Sequence, residues 1–206
     1  MPRQRDIPYP PGRPPARPPA LLEQEVEAWR LHHGADPTAA LRHKRGRFRF
    51  DAPAGEYPVT YGNEDDYACF AEVYGDSGEI APSDAGRYLS AVRSTRPLRL
   101  LALDDSHVLA ALGLDLRIAT TVDYARSRLW GLRLHEWYPD CDGLRYLGRH
   151  AARHLNFCLF LDRCAGSLEP DTIGRLADLR YHVIRAAEAY NLAPRLFEER
   201  DRGGWP

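Results

Sequence analysis

An α+β domain with a mixed sheet and flanking helices is the fold class this sequence predicts, and three observations carry it. Short β-type runs such as PLRLLALDD, DGLRYL and NFCLF alternate irregularly with helical patterns, several of them hairpin-like. No GxGxxG follows a strand and no GxxxxGK[ST] is present, so the doubly wound nucleotide-binding architectures lack their signatures. A chain of 206 residues, 44% hydrophobic and 28% charged, is long enough for one well-buried domain and too short for two.

In chain order, residues 1–19 are rich in proline and arginine, with no apolar set to bury, and predict a disordered arm. The domain proper is expected over residues 20–195. Its first element is a short helix, Ala20–Ala28, followed by a strand through AWRLHH that turns Trp29 inward and leaves Arg30 in need of solvent or an anion. A basic loop then carries His43, Lys44 and Arg45. Gly46–Tyr61 reads as strand, Pro/Gly turn and strand, placing Arg47 on a strand and Tyr61 at a strand end. A helix is expected after Asn63 as N-cap, with Asp66 in the capping-box position and Asp65 at the positive end of the dipole. Its apolar side is Tyr67, Cys69, Phe70, Ala71 and Tyr74, which leaves Glu72 as an acid on a largely buried helix.

Further on, a helix capped by Ser83 or Asp84 is expected to carry Tyr88, Leu89 and Val92, and Pro97 opens a buried strand. Ser106 caps a brief helix stopped by Gly113. A longer helix runs from Asp123 to Tyr138, with Trp130 and Trp137 as core residues, and Pro139 ends it. Two strands follow in DCDGLRYLG and NFCLFLD, then a long amphipathic helix from Asp171 to about Asn191. Residues 196–206 lack periodicity and predict a loose tail.

The charge balance narrows the function classes. A formal charge of −1 provides no global field for nucleic acid or an anionic membrane, and the aromatics are not interleaved with a basic stripe, so no direct nucleic-acid partner is expected. No apolar run of about 18 residues and no signal-peptide pattern occur, which predicts a cytoplasmic protein without membrane attachment. Cys69, Cys141, Cys158 and Cys164 form no CxxC pair; reduced thiols are expected, with a disulfide framework as the alternative. His150 and His154, spaced i, i+4, could share a helical face in metal-ligand geometry, but no third ligand accompanies them, and no metal is expected.

The Arg of GRF at Arg47, the Tyr ending a VxY strand at Tyr61 and the Glu of an AEV helix at Glu72, in this order, resemble the RES-domain toxins. The resemblance continues through WRLH at Trp29–His32, LWGLRLHEW at Leu129–Trp137, DGLRYLGRH at Asp142–His150 and NFCLF at Asn156–Phe160. It implies a fold similar to the ADP-ribosyltransferases and a toxin that consumes NAD by cleaving the nicotinamide–ribose bond, through hydrolysis or phosphorolysis. It also implies an Xre-like antitoxin partner. Glu72 would stabilise the oxocarbenium-like ribosyl cation, Arg47 and Arg30 would hold the diphosphate, and Tyr61 would hold the nicotinamide end. One departure stands out: Gly148 precedes Arg149 where the family commonly has a serine. Asn156 is a neighbour able to substitute for the missing hydroxyl. A mono-ADP-ribosyltransferase acting on a protein, or a non-catalytic nucleotide-binding module, are the alternative readings.

Overall fold

The computed structural model describes residues 6–42 and 46–198; His43, Lys44 and Arg45 of the basic loop and most of the expected tail lie outside the described residues. Eight strands form one mixed sheet: β1 (Leu22–Gln24), β2 (Glu27–His33), β3 (Val59–Asn63), β4 (Arg87–Ser94), β5 (Leu98–Ala102), β6 (Gly143–Leu147), β7 (Leu155–Phe160) and β8 (Leu168–Arg175). Their order across the sheet is β1-β5-β6-β7-β3-β2-β4-β8, and only β5 and β6 run parallel. The α+β expectation is met.

The alternation of strand side chains divides the core by face. On one face, Leu101, Leu144, Cys158 and Phe160 pack beneath α2 (Ser106–Leu112), α3 (Arg117–Thr120) and α4 (Tyr124–Trp137), with Trp130 almost wholly buried. Another cluster joins Leu31 and Leu89 to α1 (Ala68–Tyr74) and α6 (Arg180–Tyr190). The intervening strand residues Ala28, Val92, Leu100, Phe157 and Leu159 form the opposite face, where Ala40 of the 3-10 turn Pro37–Leu41 and Cys164 at the end of α5 (Leu161–Cys164) close it.

One seam of this sheet is nearly open. β2 and β3 register at a single pair, Trp29 with Asn63, whereas β2 pairs with β4 along seven residues and β3 with β7 along five. At the closed end a Cβ on Gly62 would stand 2.8 Å from that of Ala28, so only glycine admits this approach. Beyond it the strands part, and the gap becomes the floor of a cleft between the two helical clusters.

Several local expectations are corrected. Ala20–Ala28 is not a helix: Leu22–Gln24 pairs with Leu98–Leu100 as an edge strand and Glu27 already opens β2. Gly46–Tyr61 holds one strand, not two; Gly46–Pro58 is a run of turns. Asn63 ends β3, and Asp65 caps α1 in its place by accepting from Tyr67 N and Ala68 N at 3.0 and 2.7 Å. Pro82–Gly86 forms only a 3-10 turn, and Tyr88, Leu89 and Val92 belong to β4. Asp105, not Ser106, caps α2, while Gly113 ends it in the left-handed conformation at φ 68°. The long helix from Asp171 is split into β8 and α6. α4 stands almost where its periodicity puts it, capped by Asp123.

The Pro/Arg-rich segment is tied down near its start. Ile7 is 2% exposed in the α4 cluster, its carbonyl accepts from Arg126 at 2.7 Å, and the carbonyl of Pro8 accepts from the Trp130 indole at 2.8 Å. At the other end, Leu196 and Phe197 of the expected tail are buried in the α6 cluster. All four cysteines are buried and unpaired. No helix among the described residues is long and apolar enough to cross a membrane.

Candidate active site

The cleft encloses a cavity of about 190 Å³ over the open seam. β2 contributes Trp29, Arg30 and Leu31; β3 contributes Tyr61 and Asn63; α1 contributes Glu72 and Val73. Tyr146, Arg149, His150 and Asn156 come from β6, β7 and the loop between them, and Phe48 and Arg49 come from the turns before β3. Of the residues singled out by the sequence, Arg30, Tyr61, Glu72 and Asn156 meet here. Arg47 does not: it is exposed, and its guanidinium lies over the Phe48 ring at 5.9 Å.

Glu72 is the most fully engaged polar side chain of the site. Oε1 accepts from His150 N at 2.8 Å and Ala151 N at 2.9 Å; Oε2 accepts from Asn156 Nδ2 at 3.0 Å and Arg149 N at 3.2 Å. A carboxylate has about four lone-pair sites, and each is occupied here. Asn156 is held in turn, since its Oδ1 accepts from Asn63 Nδ2 at 2.8 Å and Asn63 Oδ1 accepts from Asp65 N at 2.8 Å. The relay fixes which end of the Asn156 amide faces the carboxylate.

Tyr61 turns its ring to the cavity and its hydroxyl away. The hydroxyl donates to Asp51 Oδ1 at 2.9 Å and accepts from Phe50 N at 3.0 Å. Burial above all, with the fields of the Cys158 thiol and the Asp51 carboxylate, pushes the phenol well above its ordinary range, so it stays a donor. Phe48 packs against the ring with centroids 5.5 Å apart. Asp51 was not anticipated from sequence, yet it organises this wall: fully buried, it also takes Arg47 N and Phe48 N on Oδ2 at 2.7 and 2.8 Å.

Two arginines reach the cavity by different routes. Arg30 lies across the gap between β2 and β3, where its Nη1 donates to Thr60 Oγ1 and its Nη2 approaches the Arg42 carbonyl at 3.4 Å. Burial lowers its pKa to about 10, partly countered by Tyr61, and it remains charged at neutral pH. Arg49 is 6% exposed and stacks on Tyr124 at 4.8 Å. Its Nη1 donates to the carbonyls of Thr121 at 2.6 Å and Ile118 at 3.4 Å; among the described residues no acceptor is recorded for its Nε or Nη2. Arg49 follows Arg47 by two positions in GRFRF, and no pattern in the sequence distinguishes them. At the rim, Arg149 is paired through both terminal nitrogens with Asp76, at 2.9 and 3.1 Å.

His150 and His154 lie in the loop between β6 and β7, not on one helical face; His150 faces Asp76 at 3.4 Å and His154 faces Glu64 at 3.7 Å. No group of three or more His, Cys, Asp or Glu able to hold a metal occurs among the described residues.

No curated protein matches the chain. The fold is similar to that of a chain in the crystal structure of the M. tuberculosis MbcT–MbcA toxin–antitoxin complex, at TM-score 0.57 and 17% identity, over 75% of this chain and 87% of that one. A family model described as RES domain matches residues 27–183, taking in β2 through the first turn of α6 and every residue of the cleft. The chain therefore belongs to the RES-domain family.

Proposed function

We propose that this chain is the toxin of a toxin–antitoxin pair and that it consumes NAD by breaking the nicotinamide–ribose bond, with water or phosphate as the acceptor. Family membership supports the toxin reading, as does the similarity to a toxin–antitoxin complex. The observation that carries the chemistry is the convergence of one multiply bonded carboxylate, Glu72, with the buried Arg49, the half-buried Arg30 and an aromatic face in a single cleft.

In this reading Arg49 and Arg30 hold the diphosphate, since a planar, permanently charged fork suits phosphate oxygens. The Tyr61 ring, backed by Phe48, supports the nicotinamide end; its hydroxyl is committed to Asp51 and takes no part. Nicotinamide leaves neutral with the electron pair of the glycosidic bond, and positive charge develops on the ribose C1′ and ring oxygen. A preorganised carboxylate bordering the cavity opposes that charge without reorganising. Water then bonds to C1′ and gives up one proton to solvent, or phosphate bonds to C1′ through an anionic oxygen that carries no proton to lose. Glu72 acts electrostatically here, because a direct bond to a ribose hydroxyl has to replace one of its four protein donors; the longest, Arg149 N at 3.2 Å, is the one to yield. The protein partner is an antitoxin of the Xre-like kind that covers the cleft, whose rim presents the half-exposed Phe48 and Val73.

A non-catalytic nucleotide-binding module is the second reading, favoured by the saturation of the Glu72 carboxylate. Nicotinamide release from NAD, measured with and without phosphate beside Glu72→Ala and Arg49→Ala, separates the two. Release by wild type that is lost in both variants supports the enzyme, and phosphate dependence assigns the acceptor. Tight NAD binding by wild type with no release overturns the enzyme reading.

A further inference from the structure

We infer that Gly148 is a positioning residue: its lack of a side chain lets the loop between β6 and β7 close over Glu72 and hold the carboxylate by backbone N–H groups in place of a serine hydroxyl. The inference rests on the proposed reaction for its kinetic consequence, and on geometry alone for its structural one.

Backbone conformation does not explain the glycine, because Gly148 is absent from the residues with positive φ. Space does. A Cβ at this position would stand 2.7 Å from Glu72 Oε1 and 2.7 Å from the Ala151 carbonyl oxygen. The carbonyl is not free to retreat, since it accepts from His154 N at 2.8 Å, while Gly148 N donates to the His154 carbonyl at 2.9 Å. Both ends of the loop are thus pinned by its own ladder. Relief then requires displacing the Glu72 side chain and forcing the loop open at Ala151, and either movement breaks the bonds from Arg149, His150 and Ala151.

A second glycine makes the same closure possible from the other side. A Cβ on Gly75, at the end of α1, would meet the His150 ring at 2.4 Å. The helix that presents Glu72 and the loop that receives it therefore interlock through two positions without side chains. The remaining donor, Asn156 Nδ2, is aimed by Asn63 and lies outside the loop, so it fixes only Oε2. Read this way, the departure from the family's serine is not a lost catalytic group. It is the condition for a different support of the same carboxylate, and restoring serine damages the site.

The test compares wild type, Gly148→Ala, Gly148→Ser and, as a control, Gly166→Ala, whose added methyl meets nothing within 4 Å. Two quantities are read: nicotinamide release from NAD, and hydrogen exchange of the amides of residues 149–151 by NMR. Both Gly148 variants are expected to lose amide protection and roughly a hundredfold in kcat, the scale of a misplaced catalytic group, with a much smaller change in KM; Gly166→Ala behaves as wild type. Release by Gly148→Ser at or above the wild-type rate, with its amides still protected, overturns the inference. If wild type releases no nicotinamide, the NAD reading fails, and exchange still decides: amides as protected in Gly148→Ala as in wild type refute the positioning role. Should the Gly148 variants not fold, Glu72→Ala removes the acceptor without adding volume. Protection then has to vanish at all three amides, and its persistence refutes the inference.

Discussion

Two loops line the cleft, and each is wound around a carboxylate. In the turns Gly46–Pro58 the acid is Asp51, supplied by the loop itself, fully buried, and holding two backbone N–H groups and the Tyr61 hydroxyl. In the loop after β6 the acid is Glu72, supplied by α1, half-buried, and holding three backbone N–H groups and the Asn156 amide. The bonding is nearly the same in kind and number. What differs is where the charge faces: Asp51 is sealed beneath Tyr61 and Phe48, whereas Glu72 lines the cavity. A carboxylate shut off from ligand can shape a wall; one that borders the ligand can also act on its charge.

Isosteric neutralisation of each acid separates these roles. Glu72→Gln removes the charge facing the cavity and is expected to lower nicotinamide release by about 10²–10³, the effect of deleting one preorganised electrostatic group. It is expected to leave the unfolding midpoint within a few degrees. A release rate within a few-fold of wild type removes Glu72 from the chemistry. Asp51→Asn reverses the weighting, because an amide nitrogen then faces N–H donors in a sealed site. A loss of about 1–3 kcal/mol in denaturant unfolding is expected, with activity falling only as Tyr61 loosens. An Asp51→Asn protein as stable as wild type breaks the comparison.

The two arginines of GRFRF sharpen it further. Arg49→Lys keeps a charge but loses the fork and the stacking on Tyr124, and is expected to raise KM for NAD about tenfold, the worth of one charge-assisted hydrogen bond. Arg47→Ala, removed from an exposed position, is expected to change KM less than twofold. Steady-state kinetics of the pair decides, and the opposite order returns the diphosphate to Arg47.

That pair also shows where sequence reading reaches its limit. GRF marks the right segment, but two arginines two residues apart would share one face only on a strand, and this segment is a run of turns wound around Asp51. Which arginine enters the cleft is set by that acid and by the carbonyls of Thr121 and Ile118, about 70 positions away. α4 was legible because its apolar spacing, its Asp123 cap and Pro139 agree. The edge strands were not. Leu22–Gln24 sits in a helix-favouring ALLEQEVEA run, and β8 continues an apolar spacing into α6, so pairing with β5 and β4 overrides local preference. Glu72 and Asn156 were legible as site residues, while their contact was not, since 84 positions separate them. Gly148 was legible only as a departure. Its meaning depends on a carboxylate brought to it by another element.

A third carboxylate, remote from the cavity lining, gives the smallest of these effects and a pH test for the scaffold. Asp142 immediately precedes β6, is 5% exposed, and accepts from both terminal nitrogens of Arg96 at 2.8 Å and from Arg99 N at 2.9 Å. Burial pushes its carboxyl up, but the Arg96 fork and the Arg99 N–H outweigh burial and hold it below the ordinary aspartate value of 3.8. A depressed folded-state pKa adds stability that is present above the unfolded value and lost as pH falls through the folded one. The contribution is therefore intact at neutral pH and begins to be lost only below about pH 4, as the pH falls toward the depressed folded value. Asp142→Asn is expected to cost about 1.5 kcal/mol at pH 7, less at pH 3, and to leave KM for NAD unchanged. Unfolding curves at the two pH values check the sign: a deficit that grows on acidification means that the Arg96–Asp142 pair is not what holds β5 to β6.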